Sequence, residues 1–231
     1  MRALGWTRSH KAVPALEAEV TVSPALLDRC AETARFDIGF LPFGYAWIFP
    51  KLRHLSIGVL CTRPPSRPLS EYLAAYLKAC GIDAPRSITR HGYVIPLVPV
   101  DPPYVRGRTL VVGDAAGFAD PVTAEGISFA VLTGQLAAGA IIDGAMEGKS
   151  VRRSYHTALR RRVLSELRVA RLYAKVLYAP PGGREGILRR HGPGVAQVLV
   201  DVFSGATTYR QALATPKLLR QLRAVWTGAA A

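Results

Sequence analysis

The chain has 231 residues and is 49% hydrophobic, enough to bury one large core or two smaller ones, and this composition excludes a disordered chain. Its formal net charge of +14 is concentrated after residue 150, where fifteen Lys/Arg face three Asp/Glu. No zinc-finger or RNP-type motif accompanies those arginines, so nucleic acid is not expected as a partner; an anionic membrane surface, an acidic partner and plainly solvated helix faces remain open.

The elements follow in chain order. Residues 16–22 alternate apolar and polar (Leu16, Ala18, Val20, Val22), as a half-buried strand does. Short β-rich runs are expected at 36–41, 45–49 and 55–61, interrupted by Pro42, Gly44 and Pro50, with the last two forming a hairpin. Leu69, Tyr72, Leu73, Tyr76 and Leu77 have helical spacing that ends at Gly81. A further strand is expected at 87–97, and a short buried one at 109–112 that runs straight into Gly113. A long helix is expected at 124–143, with the small residues Ala130, Gly134, Ala137 and Ala138 suited to close packing. Beyond Ser150 the chain reads as helical, broken by loops at 179–183 and 192–194.

Three cysteines (Cys30, Cys61, Cys80) without CxxC spacing read as reduced structural thiols, and no metal-ligand set is expected. No run reaches the roughly 18 apolar residues of a spanning helix. The chain therefore reads as cytoplasmic, with peripheral membrane contact as the role open to its basic third.

Chemistry is concentrated in two segments. In the first, Leu110-Val111-Val112-Gly113-Asp114-Ala115-Ala116-Gly117 leads on to Asp120-Pro121-Val122-Thr123-Ala124-Glu125-Gly126-Ile127. Gly113 permits close approach of a ligand, and Asp114 offers a carboxylate to sugar-type hydroxyls at the end of a strand. Gly126 and Ile127 open a helix whose N–H groups suit negative charge. In the second segment, Tyr45, Trp47 and Phe49 fall at period two, followed by Pro50, Lys51 and, after six further residues, Gly58. The three aromatic side chains share one face of a strand, forming either a ligand wall or an ordinary core face.

The first segment resembles the second flavin motif of the p-hydroxybenzoate hydroxylase-like superfamily of FAD-dependent oxidoreductases, and within it the geranylgeranyl reductase family. The second is similar to the YxWxFPK…G pattern of the same reductases. The resemblance implies FAD as cofactor, with Asp114 at the ribityl chain, Pro121, Gly126 and Ile127 along the isoalloxazine, and Gly113 beside them in the cofactor site. It implies an isoprenoid lipid substrate against Tyr45, Trp47 and Phe49, with Lys51 meeting a phosphate head group or water. Ala124 stands where the family often has Gly. Looser resemblances run through Gly92 to Pro96 and through Ser204, Gly205 and Tyr209, so the likeness extends from about residue 4 to 209.

The implied fold is α+β / α/β: an incomplete Rossmann-like FAD-binding domain, an antiparallel-sheet substrate domain and a helical C-terminal region. The expected parts are a mainly-β substrate part at 1–108, a piece of the FAD-binding domain at 109–149 and a basic helical region at 150–231. Such flavoproteins begin with a GxGxxG turn, and the chain is expected to be a C-terminal part without it; Gly192-Pro193-Gly194 is a poor substitute. A separate chain supplying that half is then an expected partner, as is NAD(P)H or a reduced carrier protein as electron donor. The implied reaction is reduction of carbon–carbon double bonds; Tyr45, Tyr93 and His54 are candidate proton donors, with none singled out as catalytic. A flavin monooxygenase or halogenase, or a non-catalytic lipid-binding module, are the alternatives.

Overall fold

A computed structural model describes residue 6 and residues 12–83, 85–99 and 102–214. The family-like residues 2–5 and the basic residues Lys217, Arg220 and Arg223 lie outside the described residues. The chain divides into two compact units. One comprises residues 12–95 with a short return at 177–181; the other comprises the described residues of 96–176 and 182–214 together with Trp6.

The first unit is a five-stranded sheet with spatial order β2-β3-β4-β1-β5. In chain order its elements are β1 (Ala12–Thr21), α1 (Pro24–Cys30), β2 (Arg35–Ile38), β3 (Gly44–Pro50), β4 (Leu55–Cys61), α2 (Leu69–Ala79) and β5 (Ser87–Pro96). β2–β3, β3–β4 and β4–β1 all pair antiparallel, and β3 and β4 form the expected hairpin. The short helix α1 is capped by the Ser23 hydroxyl, which accepts from the Leu26 amide, and has Pro24 in its first turn.

Which face of this sheet is core follows from α2. Tyr72, Leu73, Tyr76 and Leu77 pack with Ala18, Val20, Ala46, Ile48, Leu55, Ile57 and Val59. Those are the alternate residues of β1, β3 and β4, so one face is closed by the helix. Tyr45, Trp47 and Phe49 point the other way.

The second unit is helical around a short β-hairpin, β6 (Val105–Arg106) and β7 (Thr109–Leu110). A 3₁₀ turn over Gly113–Ala116 follows, then α3 (Ile127–Asp143), α4 (Gly148–Leu159), a π turn over Arg160–Leu164, α5 (Ser165–Leu177), α6 (Pro181–Phe203) and α7 (Tyr209–Ala214). Its core joins Trp6, Tyr104, Val105, Val111 and Phe118 to Ala137, Ala140, Tyr155, Leu159, Val163 and Leu167. Residues from 104 to 167 therefore contribute to one core, within a unit whose main segment begins at Pro96.

Three expectations change. The strand expected at 109–112 ends at Leu110; Val112 keeps extended dihedrals, but among the described residues no strand pairs with it. The helix expected from 124 begins at Ile127, because Ala124 has φ 58° and Gly126 φ −122°, neither of them helical. The Gly192-Pro193-Gly194 loop is absent: α6 runs through Pro193, so this segment is no phosphate-binding turn. No described helix is long and apolar enough to cross a membrane.

Candidate functional site

In the sheet unit, the antiparallel register sets Glu17 of β1, Gly58 of β4 and Trp47 of β3 on a single rung. Gly58 carries no side chain, and the indole occupies that vacancy: a Cβ built there would lie 2.1 Å from Trp47 Cζ2. The glycine of the YxWxFPK…G pattern is thus the seat of its tryptophan. From this seat the Trp47 Nε1–H reaches Ser56 Oγ at 3.4 Å, and Ser56 donates in turn to Glu17 Oε1 at 2.5 Å.

The rest of the row continues the aromatic surface. Trp47 stacks on Phe49 with centroids 6.1 Å apart and an interplanar angle of 26°, and lies 5.7 Å from Tyr45. Phe36 of β2 adds edge contacts to Phe49 at 5.0 Å and Tyr45 at 5.8 Å. Tyr45 is buried, whereas Trp47 and Phe49 keep partial exposure, so the accessible part of the row is its Trp47–Phe49 end. Lys51 lies just beyond that end, exposed, in a turn closed by its amide to the His54 carbonyl at 2.8 Å. Tyr93 is 51% exposed on β5.

In the helical unit, the flavin-like segment wraps the start of α3. Tyr155 of α4 donates to the Val111 carbonyl at 2.8 Å and holds the chain that enters the turn; burial pushes its hydroxyl well above the usual tyrosine range. Gly113 has φ 49°, and its missing side chain makes room for α3: a Cβ would lie 2.9 Å from that of Ala130. Its amide donates to the buried Thr133 hydroxyl at 3.0 Å. Gly117, with φ 74°, has no room for a side chain either, since a Cβ would lie 2.1 Å from the Val98 carbonyl oxygen.

Asp114 is exposed, and its carboxylate makes no hydrogen bond within the described residues. That carboxylate lies against Gly126, where a Cβ would come within 2.5 Å of Oδ1. Partial burial, and then the nearby Glu125 charge, raise its pKa. At the helix start the Ser128 amide is already taken by Glu125 Oε1 at 2.8 Å, so the expected open set of amides is reduced to those of Ile127 and Phe129. Ile127 is 78% exposed, while Pro121 is buried and offers little surface.

Asp120 is the residue that sequence reasoning passed over. It is 7% exposed and its Oδ1 accepts the amides of Val122 at 2.6 Å and Thr123 at 3.2 Å. Backbone bonds from Asp120 to Glu125 and from Ala124 to Asp120, both 2.8 Å, close the loop. Burial raises its pKa to about 6, against the lowering effect of the two amides and of the nearby Tyr209 hydroxyl. Tyr209, one of the looser family-like residues, thereby brings α7 close to this loop. Ala124 sits in the same loop in the left-handed region, which explains why glycine suits that position.

An unpaired carboxylate beside a side-chain-free glycine, at a helix start with open amides, suits a polyhydroxylated and partly anionic ligand such as a flavin. No family profile matches the chain. It is 31% identical over 156 residues to a digeranylgeranylglycerophospholipid reductase of Methanothermobacter thermautotrophicus, covering 63% of this chain and 39% of that one. It is 30% identical over 153 residues to the chloroplastic geranylgeranyl diphosphate reductase of rice, covering 64% and 33%. The chain thus spans about a third of the length of these relatives. Among solved structures, a geranylgeranyl bacteriochlorophyll reductase-like protein of Thermoplasma acidophilum matches with TM-score 0.59 at 19% identity, over 75% of this chain and 45% of that one. A tryptophan 6-halogenase of Streptomyces toxytricini matches with TM-score 0.55 at 12% identity, over 82% and 41%.

The α+β fold is shared with these two solved structures. By sequence, the chain is similar to geranylgeranyl diphosphate reductases and digeranylgeranylglycerophospholipid reductases over about two thirds of its own length.

Proposed function

We propose that this chain carries the isoprenoid-binding face and part of the flavin site of an FAD-dependent reductase acting on carbon–carbon double bonds of an isoprenoid lipid. The observation that carries the reading is the aromatic row: Trp47 and Phe49 lie on the sheet face turned away from the α2 core, with the indole seated on Gly58. A wall of flat apolar side chains suits a long unsaturated hydrocarbon, which offers methyl groups and double bonds and few hydrogen-bonding groups.

FAD held here, once reduced by NAD(P)H or a carrier protein, would supply a hydride to one alkene carbon, and a nearby acid or water would supply the proton to the other. Asp114 would accept hydrogen bonds from the ribityl hydroxyls, and Gly126, Ile127 and the amides at the start of α3 would hold the isoalloxazine. Pro121 and Asp120 shape the loop that presents them. Trp47 and Phe49 hold the chain and exclude water, and Lys51 meets a phosphate head group. Exposed arginines on α4 and α5, among them Arg152, Arg153 and Arg168, favour weak contact with anionic membranes, where such lipids reside.

Product analysis tests this reading. With FAD, dithionite as reductant and geranylgeranyl diphosphate as probe, mass spectrometry should show a gain of about two mass units for each double bond reduced. The halogenase-like fold neighbour supports a second reading, oxygen chemistry on the same scaffold. Substrate-dependent oxygen consumption without hydrogenated product would favour it.

A further inference from the structure

We propose that Glu17, acting through Ser56, is a positioning residue that fixes the indole of Trp47 and so sets the shape of the isoprenoid-binding face; the functional part of this inference rests on the reading above. Two carboxylates of β1 lie on this face, Glu19 exposed and Glu17 half-buried, and a half-buried carboxylate needs a hydrogen-bond partner. Glu17 stands on the same rung as Gly58 and Trp47. Its partner Ser56 is only 5% exposed.

The direction of the bonds is what matters. A serine hydroxyl has one proton and two lone pairs. Glu17 Oε1 takes that proton at 2.5 Å, which leaves the Ser56 lone pairs to receive the indole N–H at 3.4 Å. Without an acceptor at residue 17, the hydroxyl proton is free to rotate towards the indole, and the acceptor that Trp47 needs is lost. Gly58 fixes the plane of the ring from below, while the Ser56–Glu17 pair fixes its edge. A wall held in both senses loses less side-chain entropy when a flexible chain lies on it.

The experiment uses the full chain with the variants Glu17→Leu, Glu17→Gln, Ser56→Ala, Trp47→Phe and Trp47→Ala, and geranylgeraniol as a neutral probe. The near-UV circular dichroism difference between wild type and Trp47→Phe isolates the indole signal. Glu17→Leu and Ser56→Ala should abolish that signal and weaken geranylgeraniol binding about three- to tenfold, the value of one hydrogen bond. Glu17→Gln keeps an acceptor and should stay within about twofold of wild type. In the Trp47→Phe background, which has no indole N–H, Glu17→Leu should add nothing. The inference is overturned if Glu17→Leu leaves the indole signal intact, or if it weakens binding as much with Phe at position 47 as with Trp. Should Trp47→Ala leave geranylgeraniol binding unchanged, the isoprenoid reading fails instead, and the dichroism alone still decides whether Glu17 orients the indole.

Discussion

Replacing Gly58 with alanine should displace Trp47 without disturbing the core on the other side of the sheet. The new methyl group would begin 2.1 Å from Cζ2 and 2.4 Å from Cη2 of the indole. Carbon atoms in contact need about 3.5 Å, so the ring must retreat by about 1.4 Å or swing off the strand. Either movement breaks the bond to Ser56 and the stack on Phe49. Ile57 and Val59, the neighbours of residue 58 on β4, face α2 and are untouched. Overpacking of this kind costs about 1–3 kcal/mol of stability, which a urea melt resolves. Loss of the ordered aromatic contact should weaken geranylgeraniol binding about three- to tenfold by fluorescence titration. A Gly58→Ala protein with wild-type stability, indole emission and geranylgeraniol affinity would refute the reasoning.

Three further outcomes are expected. Ala124→Gly should stabilise the chain by about 1 kcal/mol by relieving a left-handed alanine, raising Tm by about 2–4 °C; an unchanged or lower Tm would contradict it. Asp120 has a folded pKa of about 6, above its unfolded value of about 3.9, so the folded state holds the extra proton between those limits. Its contribution to stability should therefore fall by about 3 kcal/mol as pH rises from 4 to 6 and level off above, and Asp120→Asn should remove that part of the slope in denaturant melts. Binding to anionic liposomes should exceed binding to neutral ones and fall between low and high salt, since the helical arginines act by screened charge; flotation independent of both would count against it.

Much of this was legible in the chain because local patterns decided it. The β3–β4 hairpin follows from two β-rich runs framed by Gly44, Pro50 and the polar turn at Lys51, and α2 from apolar residues at helical spacing. The aromatic row was visible at period two, but β3 alone could not say which face is core, because Ala46 and Ile48 are as apolar as their neighbours. That was settled by α2 packing on one side. Glu17 was hidden by the same alternation, which assigns it to solvent; its role depends on a glycine and a serine two strands' worth of sequence away. Asp120 and Tyr209 are distant in sequence and meet only in the fold. Gly117 and Ala124 carried a signal in type alone, and only the dihedrals and the Val98 carbonyl give the reason.

Two binding surfaces with different ligands are proposed for this chain, and the most direct measurement separates them. Isothermal titration of wild type, Trp47→Ala and Asp114→Asn should be run with geranylgeraniol and, separately, with FAD. Trp47→Ala should weaken the isoprenoid and leave FAD as in wild type. Asp114→Asn should weaken FAD by about 1.5–3 kcal/mol, the value of hydrogen bonds to a charged group, and leave the isoprenoid alone. If Trp47→Ala affected both ligands equally, Trp47 would be a structural residue of the sheet, and the aromatic row would not be the isoprenoid wall.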